Sequence, residues 1–261
     1  MIESSTGART PHEPFVARTP AEERLYRKQR LAVAFRVFAH YGFDEGAAGY
    51  ITVRDPERTD CFWVNPFPMS FRLVRVRDLQ LVDSDGNVLV GDWPVSRSAL
   101  MIHSQVHAAR SDVLCVAHAH SMYGKTFASL HRPLRPITQD ACIFFEDHGV
   151  GTDEAGRVAN NEEVGKRITE AIGDNKAALV GNHGIFTVGQ SVDEAAFWFI
   201  SMEHSCQAEL TASVAGVPEL IPPETARIIR GHVGFPLAGW YSAQPIFDYI
   251  IATQPDCLDE G

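Results

Sequence analysis

The sequence predicts a single-domain α/β fold, on three observations. Its 261 residues are 45% hydrophobic, enough for one large core. Apolar residues recur at helical spacing in several long runs, the first between residues 20 and 39 and the last after Ser191. Between those runs lie short apolar segments, alternating or continuous and bounded by Gly, Pro, Asn and Asp, as strands are.

Residues 1–18 carry the breaks Thr10-Pro11 and Glu13-Pro14 with little periodicity, and are expected to form an N-terminal arm. Pro20 then opens a helix whose Leu25, Leu31, Ala34, Phe35 and Phe38 share a packing stripe, and Gly42 ends it. The small-residue turn Gly46-Ala47-Ala48-Gly49 leads into the alternating strand Tyr50–Arg54. Cys61–Val64 and Leu79–Val82 read as further strands, and Asp83–Asn87 as a hairpin loop before Val88-Leu89-Val90. The first third is thus a helix followed by antiparallel strands.

Ser96 or Ser98 caps a helix to about Arg110. A strand from Leu114 to His118 and a helix from Ser121 to Leu130 follow, and Pro133 and Pro136 then break regularity. The apolar run Ala141–Phe145 is expected to be a strand that drives into the core and closes on Glu146-Asp147-His148. Asn161-Glu162-Glu163 opens a helix ended by Gly173. Ala178–Val180 and Ile185–Val188 are apolar runs flanking the turn Gly181-Asn182-His183-Gly184. Ser191-Val192-Asp193-Glu194 is a capping box before a long helix to about Ala215, whose Trp198 and His204 are expected to face a neighbouring subunit. Trp240, Tyr241 and Phe247 give residues 226–261 an aromatic content that suits a tail docked on the body or on a partner.

A net charge of −10 with no cluster of Lys and Arg argues against a nucleic-acid surface. No apolar run is long enough to span a bilayer, and Met1–Thr6 lacks the parts of a signal peptide, so no membrane partner and a cytoplasmic location are expected. The five cysteines have no Cys-x-x-Cys spacing and read as buried thiols.

The chemistry centres on three histidines. Strand alternation points His118 and His120 to one face with the small Ala119 between them. His183 sits in a tight turn beside Gly184, where the backbone can approach closely. Three neutral imidazoles with an open position suit zinc or another borderline divalent metal; the competing reading is of polar residues scattered at strand ends. His103 and His107 lie one turn apart on the same helix face, but the His-Glu-x-x-His pattern is missing and Ile102, Val106 and Ala109 supply a packing stripe. His103 is therefore expected to serve as a proton-transfer or supporting group, and Glu146 or His148 as the acid–base group.

Over roughly residues 20–225 the chain resembles the class II aldolase and adducin head-domain family. The likeness rests on the first helix and the turn at Gly49, on His118 and His120, on Asn182-His183-Gly184, and on the helix start at Ser191–Glu194. It implies a three-layer α/β/α domain over residues 19–225 with a largely antiparallel central sheet. It also implies a homotetramer with sites near subunit interfaces, and a divalent metal, iron or zinc, on His118, His120 and His183. The glutamate that serves the sugar-phosphate aldolases is Ala99 here, only Ser98 beside Arg97 remains of the phosphate-binding turn, Tyr50 follows Gly49 where asparagine is expected, and Gln139 falls where some aldolases have a tyrosine.

Glu45–Gly49, Phe62–Pro66 and Gln139-Asp140-Ala141 are similar to the branch that acts on prenylated hydroxyphenylpyruvates in aminocoumarin antibiotic pathways. That likeness implies carbon–carbon bond cleavage, by decarboxylation or oxidative decarboxylation, of a small 2-oxo or 2-hydroxy acid. The alternatives are an aldolase whose base has moved to Glu146 or His103, and an adducin-like interaction module without chemistry.

Overall fold

The computed structural model describes residues 12–151 and 162–261. Helix α1, Pro20–His40, starts where Thr19 Oγ1 accepts from Glu22 N at 3.2 Å; Pro20 occupies the first turn with Glu22 and Glu23. The helix stops at Tyr41, and Gly42 takes the left-handed backbone expected of it. Most of the arm expected over residues 1–18 lies outside the described residues, as does Asn161; of the arm, Phe15 stacks on Tyr26.

Among the described residues eight strands follow: β1 Tyr50–Arg54, β2 Phe62–Val64, β3 Gln80–Val82, β4 Val88–Val90, β5 Cys115–Ala119, β6 His148–Gly151, β7 Ala177–Val180 and β8 Gly184–Gly189. They form one sheet in the order β4-β3-β2-β1-β5-β8-β7-β6. The sheet is mixed, which corrects the expectation of a largely antiparallel one: β6 runs parallel to β7, while the other neighbours pair antiparallel. The reason lies in the connection, since parallel neighbours need a long crossover and helix α4, Glu162–Ile172, lies between these two strands in the chain.

Helices cover both faces. Helix α2, Arg97–Ala109, and α4 pack Ile102, Val106, Ile168 and Ile172 against Val116, Ala178 and Phe186. On the other face α1, α3 (Met122–Ala128) and the long α5 (Val192–Ala215) bury Phe35, Phe38, Phe127 and Phe199 against Ile51, Ala117, Leu179 and Ile185. The start of α5 follows its sequence signature: Ser191 Oγ accepts from Glu194 N, while Glu194 Oε2 accepts from Gln190 N. The chain after residue 222 forms α6, Pro223–Val233, and α7, Pro236–Thr253, with Phe247 and Ile250 fully buried in the core beneath α5. Among the described residues no helix is long and apolar enough to cross a membrane. All five cysteines are buried free thiols.

Two local expectations fail. Asp140–Phe144 is a 3₁₀ helix, not a strand. Thr138 Oγ1 accepts from Ala141 N to start the turn, and Ala141 to Phe144 are all buried, so a short continuous apolar run carried no period that could separate the two forms. Trp198 does not face another subunit: its ring is 0% exposed and its Nε1–H donates to Glu194 Oε1 at 3.0 Å. His204 on the same helix is exposed and meets the Tyr41 ring.

Candidate metal centre

The sheet brings the three predicted histidines together. On β5, His118 pairs with Tyr50 of β1 on one side and with Phe186 of β8 on the other, which fixes it near the centre of the sheet. His120 follows two residues on. His183 is delivered by the β7–β8 turn, in which Asn182 has φ 55°, Gly184 has φ 148° and the His183 N–H bonds Val180 O. Gly49 holds the opposite wall close: at φ 103°, a Cβ there would lie 3.1 Å from His118 O. The ring centroids of His118, His120 and His183 lie 4.6 to 5.2 Å apart, and one nitrogen from each lies within 4.8 Å of the others.

The donor set fits a divalent cation. His118 Nδ1–H donates to Ile185 O at 2.8 Å, so its Nε2 carries the lone pair, and the ring is held flat against Phe186. Burial pushes the His118 imidazole well below its ordinary pKa, and the neighbouring His183 and His120 add to this. Burial brings His183 down to about 4, and burial followed by the Lys125 charge lowers His120. All three are therefore neutral ligands at pH 7. Nδ1 of His183 is buried without a partner among the described residues.

The histidines line a half-open cavity with Ala48, Gly49, Tyr50, Ser98, Ala99, Ile102 and His103. None of these lining residues is a carboxylate. Ala99, only 5% exposed, presents a methyl group on the α2 side, while Gln139 is exposed at the start of the 3₁₀ turn and does not line the cavity.

Glu146 and His148 do not reach the histidines, which corrects the acid–base assignment. Glu146 is exposed at φ 55°, and Arg227 clamps its carboxylate through bonds of 2.9 and 2.7 Å that also lower its pKa. His148 pairs with Ala177, which faces the core beneath α5, whereas His118 pairs with Phe186 on the α2/α4 side. The two therefore lie on opposite faces of the sheet. Both His148 nitrogens are also occupied, Nδ1–H donating to Phe144 O and Nε2 accepting from Leu134 N. His103 does line the cavity, whereas His107 is turned inward, stacked on Phe62 and hydrogen-bonded to Thr52.

Two supports carried no sequence signal. Glu203 on α5 is 3% exposed; its carboxylate accepts from Ser121 Oγ (2.5 Å), Tyr123 N (2.8 Å) and Gly124 N (2.6 Å), anchoring the first turn of α3 directly after His120. Lys125 on that helix pairs with Glu45 at 2.6 Å, closing the loop before Gly49 onto it. Truncating Glu203 to alanine strands three donors, so we expect a loss of about 3 kcal/mol in urea unfolding and metal affinity weakened by about 10-fold or more. A parental unfolding midpoint in that variant would show that the anchor is dispensable.

Residues 29–210 match the class II aldolase and adducin N-terminal domain. The chain is 45% identical over 246 residues to decarboxylase NovR of Streptomyces niveus, covering 94% of this chain and 91% of that protein. It is 44% identical over 245 residues to the 4-hydroxy-3-prenylphenylpyruvate oxygenase/4-hydroxy-3-prenylbenzoate synthase of Streptomyces roseochromogenus subsp. oscitans, covering 93% of this chain and 88% of that one. Among solved structures it is similar to an L-fuculose 1-phosphate aldolase from Glaciozyma antarctica PI12, with a TM-score of 0.88, 39% identity, and coverage of 95% of this chain and 97% of that one. With its sheet, its histidine cluster and these relatives in agreement, the chain belongs to the class II aldolase and adducin family.

Proposed function

We propose that this protein is a metal-dependent enzyme that breaks the bond between the carboxylate and the carbonyl carbon of an aryl-pyruvate-like 2-oxo acid, releasing carbon dioxide. The observation that carries the reading is a three-imidazole cup opening into a cavity with no carboxylate among the described residues that line it. His118, His120 and His183 would hold the metal, which when bound supplies a Lewis acid for adjacent carboxylate and carbonyl oxygens and, if it is iron, access to dioxygen. Tyr50, Ile102 and the methyl of Ala99 offer the substrate an apolar wall.

The electron count favours the oxidative form of the reaction. Simple loss of carbon dioxide from a 2-oxo acid leaves the bonding pair on the carbonyl carbon, where polarising the carbonyl oxygen does little to stabilise it. Dioxygen as acceptor resolves this: one aryl pyruvate and one dioxygen give one carbon dioxide and one 2-hydroxy acid shorter by a carbon. The names of the two Streptomyces relatives, a decarboxylase and an oxygenase, fit that chemistry. Iron is accordingly the metal we propose, with zinc as the alternative for a non-redox lyase. The β4 edge, with Val88, Leu89, Val90 and nearby Trp93 all exposed, supports assembly into a homo-oligomer, for which we propose a tetramer.

A second reading, ketose 1-phosphate cleavage, draws on the solved relative of that name. A non-catalytic adducin-like module is disfavoured by the converging imidazoles, which would have no use there. The test is turnover of 4-hydroxyphenylpyruvate and its ring-substituted analogues by iron- and zinc-loaded protein, in air and without oxygen. Carbon dioxide release matched by oxygen consumption with iron alone is the expected result. Brisk ketose 1-phosphate cleavage with no carbon dioxide from any aryl pyruvate would replace this reading with the second.

A further inference from the structure

At the cavity wall His103 is 1% exposed, and its Nε2 has no partner among the described residues, although most buried side-chain nitrogens and oxygens have one. Its other nitrogen is committed. Nδ1 lies 2.9 Å from Thr52 Oγ1, and the same hydroxyl lies 3.0 Å from His107 Nε2. On the far side of His107, Arg54 Nη2 stands 3.4 Å from Nδ1 while donating to the His107 carbonyl at 2.7 Å.

Arg54 sets the direction of this chain, because a guanidinium only donates. A proton on His107 Nδ1 would point donor at donor, so Nδ1 carries the lone pair and Nε2 carries the hydrogen. His107 Nε2–H then donates to Thr52. The threonine oxygen has room to accept from both rings, but its own buried hydrogen would then have no acceptor among the described residues; donated to His103 Nδ1 it is satisfied, so Nδ1 accepts. The His103 proton is left on Nε2, across the ring from Thr52, in a residue that lines the cavity.

We propose that His103 is a substrate-binding hydrogen-bond donor, its Nε2–H tautomer imposed by the relay Arg54–His107–Thr52 and offered to a carboxylate or carbonyl oxygen of the acid bound in the cavity. The substrate half of this rests on the function proposed above; the tautomer does not. Burial pushes the His103 pKa down to about 3, so the ring stays neutral at physiological pH and donates a hydrogen bond without giving up the proton. Of the proton-transfer and supporting roles expected of it from sequence this favours the second, since an Nε2 that carries the proton has no lone pair to accept with. A ligand oxygen there satisfies a donor that the fold leaves unpaired, which favours a 2-oxo or 2-hydroxy acid over an apolar molecule of the same shape.

The test uses the full-length zinc-loaded protein with its histidines labelled at both ring nitrogens, read by long-range proton–nitrogen NMR without ligand and then with phenylpyruvate. His103 is expected as the Nε2–H tautomer across the neutral range, with a shift of that nitrogen when phenylpyruvate binds. Thr52→Val should mix the tautomers and Thr52→Ser restore them. His103→Phe should weaken phenylpyruvate binding by about 10-fold to 100-fold, the worth of a hydrogen bond to a charged group, at unchanged metal content, with His103→Gln recovering part of the loss. An Nδ1–H tautomer, or parental phenylpyruvate affinity in His103→Phe, overturns the proposal. If the parent protein fails to bind phenylpyruvate, the proposed function fails, and the tautomer measured without ligand still decides the relay.

Discussion

Alanine at His118, His120 or His183 is expected to strip the metal and to lower turnover by about 1,000-fold or more, the largest effect of any single change in this chain. A cation polarising the reacting oxygens supplies several kcal/mol of barrier lowering, and each 1.4 kcal/mol or so is about tenfold in rate. Two remaining imidazoles are too few donors for tight binding. His118 should be the most sensitive, because its Nδ1–H bond to Ile185 O fixes the ring before any metal arrives. Metal analysis of the purified variants, with circular dichroism to confirm the fold, gives the answer: parental metal content in all three would refute the site. The parent is expected to carry about one metal per chain, the number a single three-imidazole site can hold.

The second large effect concerns Ala99. Ketose 1-phosphate cleavage by this protein is expected to be weaker by about 100-fold to 10,000-fold than in an aldolase with a positioned acid–base carboxylate, the usual worth of such a group. Ala99 is buried on the cavity wall, and none of the described lining residues is an acid. Ala99→Glu should depress aryl-pyruvate turnover, because the new carboxylate would stand in a cavity that binds an anion, and it is the one substitution with a chance of raising aldol cleavage. A parent that cleaves ketose 1-phosphates briskly, with no change on Ala99→Glu, would mean that a base from elsewhere serves the site. Neither Glu146, clamped by Arg227, nor His148, on the opposite face of the sheet, is placed to be that base.

The sequence by itself determined those parts of the protein whose physics is local. Strand alternation put His118 and His120 on one side, glycine and asparagine allowed the left-handed turn that carries His183, and Pro20 and Ser191 marked helix starts, Ser191 through a hydrogen bond only three residues long. Each depends on interactions within a few positions along the chain, so residue type and spacing were enough. Tertiary structure alone decided which faces and which distant partners meet. Glu203 reaches Ser121 across 82 positions, and Thr52 reaches His103 across 51. The register of β6 on β7, which sets His148 opposite Ala177, turned it away from the face of the three histidines. The apolar run before Glu146 packed as a 3₁₀ turn because a segment buried on every side gains the same burial in either form, leaving its neighbours to choose. His103 shows the division within one residue. Its place on the α2 face was legible, but the direction of its hydrogen bond was settled by Arg54 on β1, because only a folded sheet can set a guanidinium against His107 and so orient every donor between them.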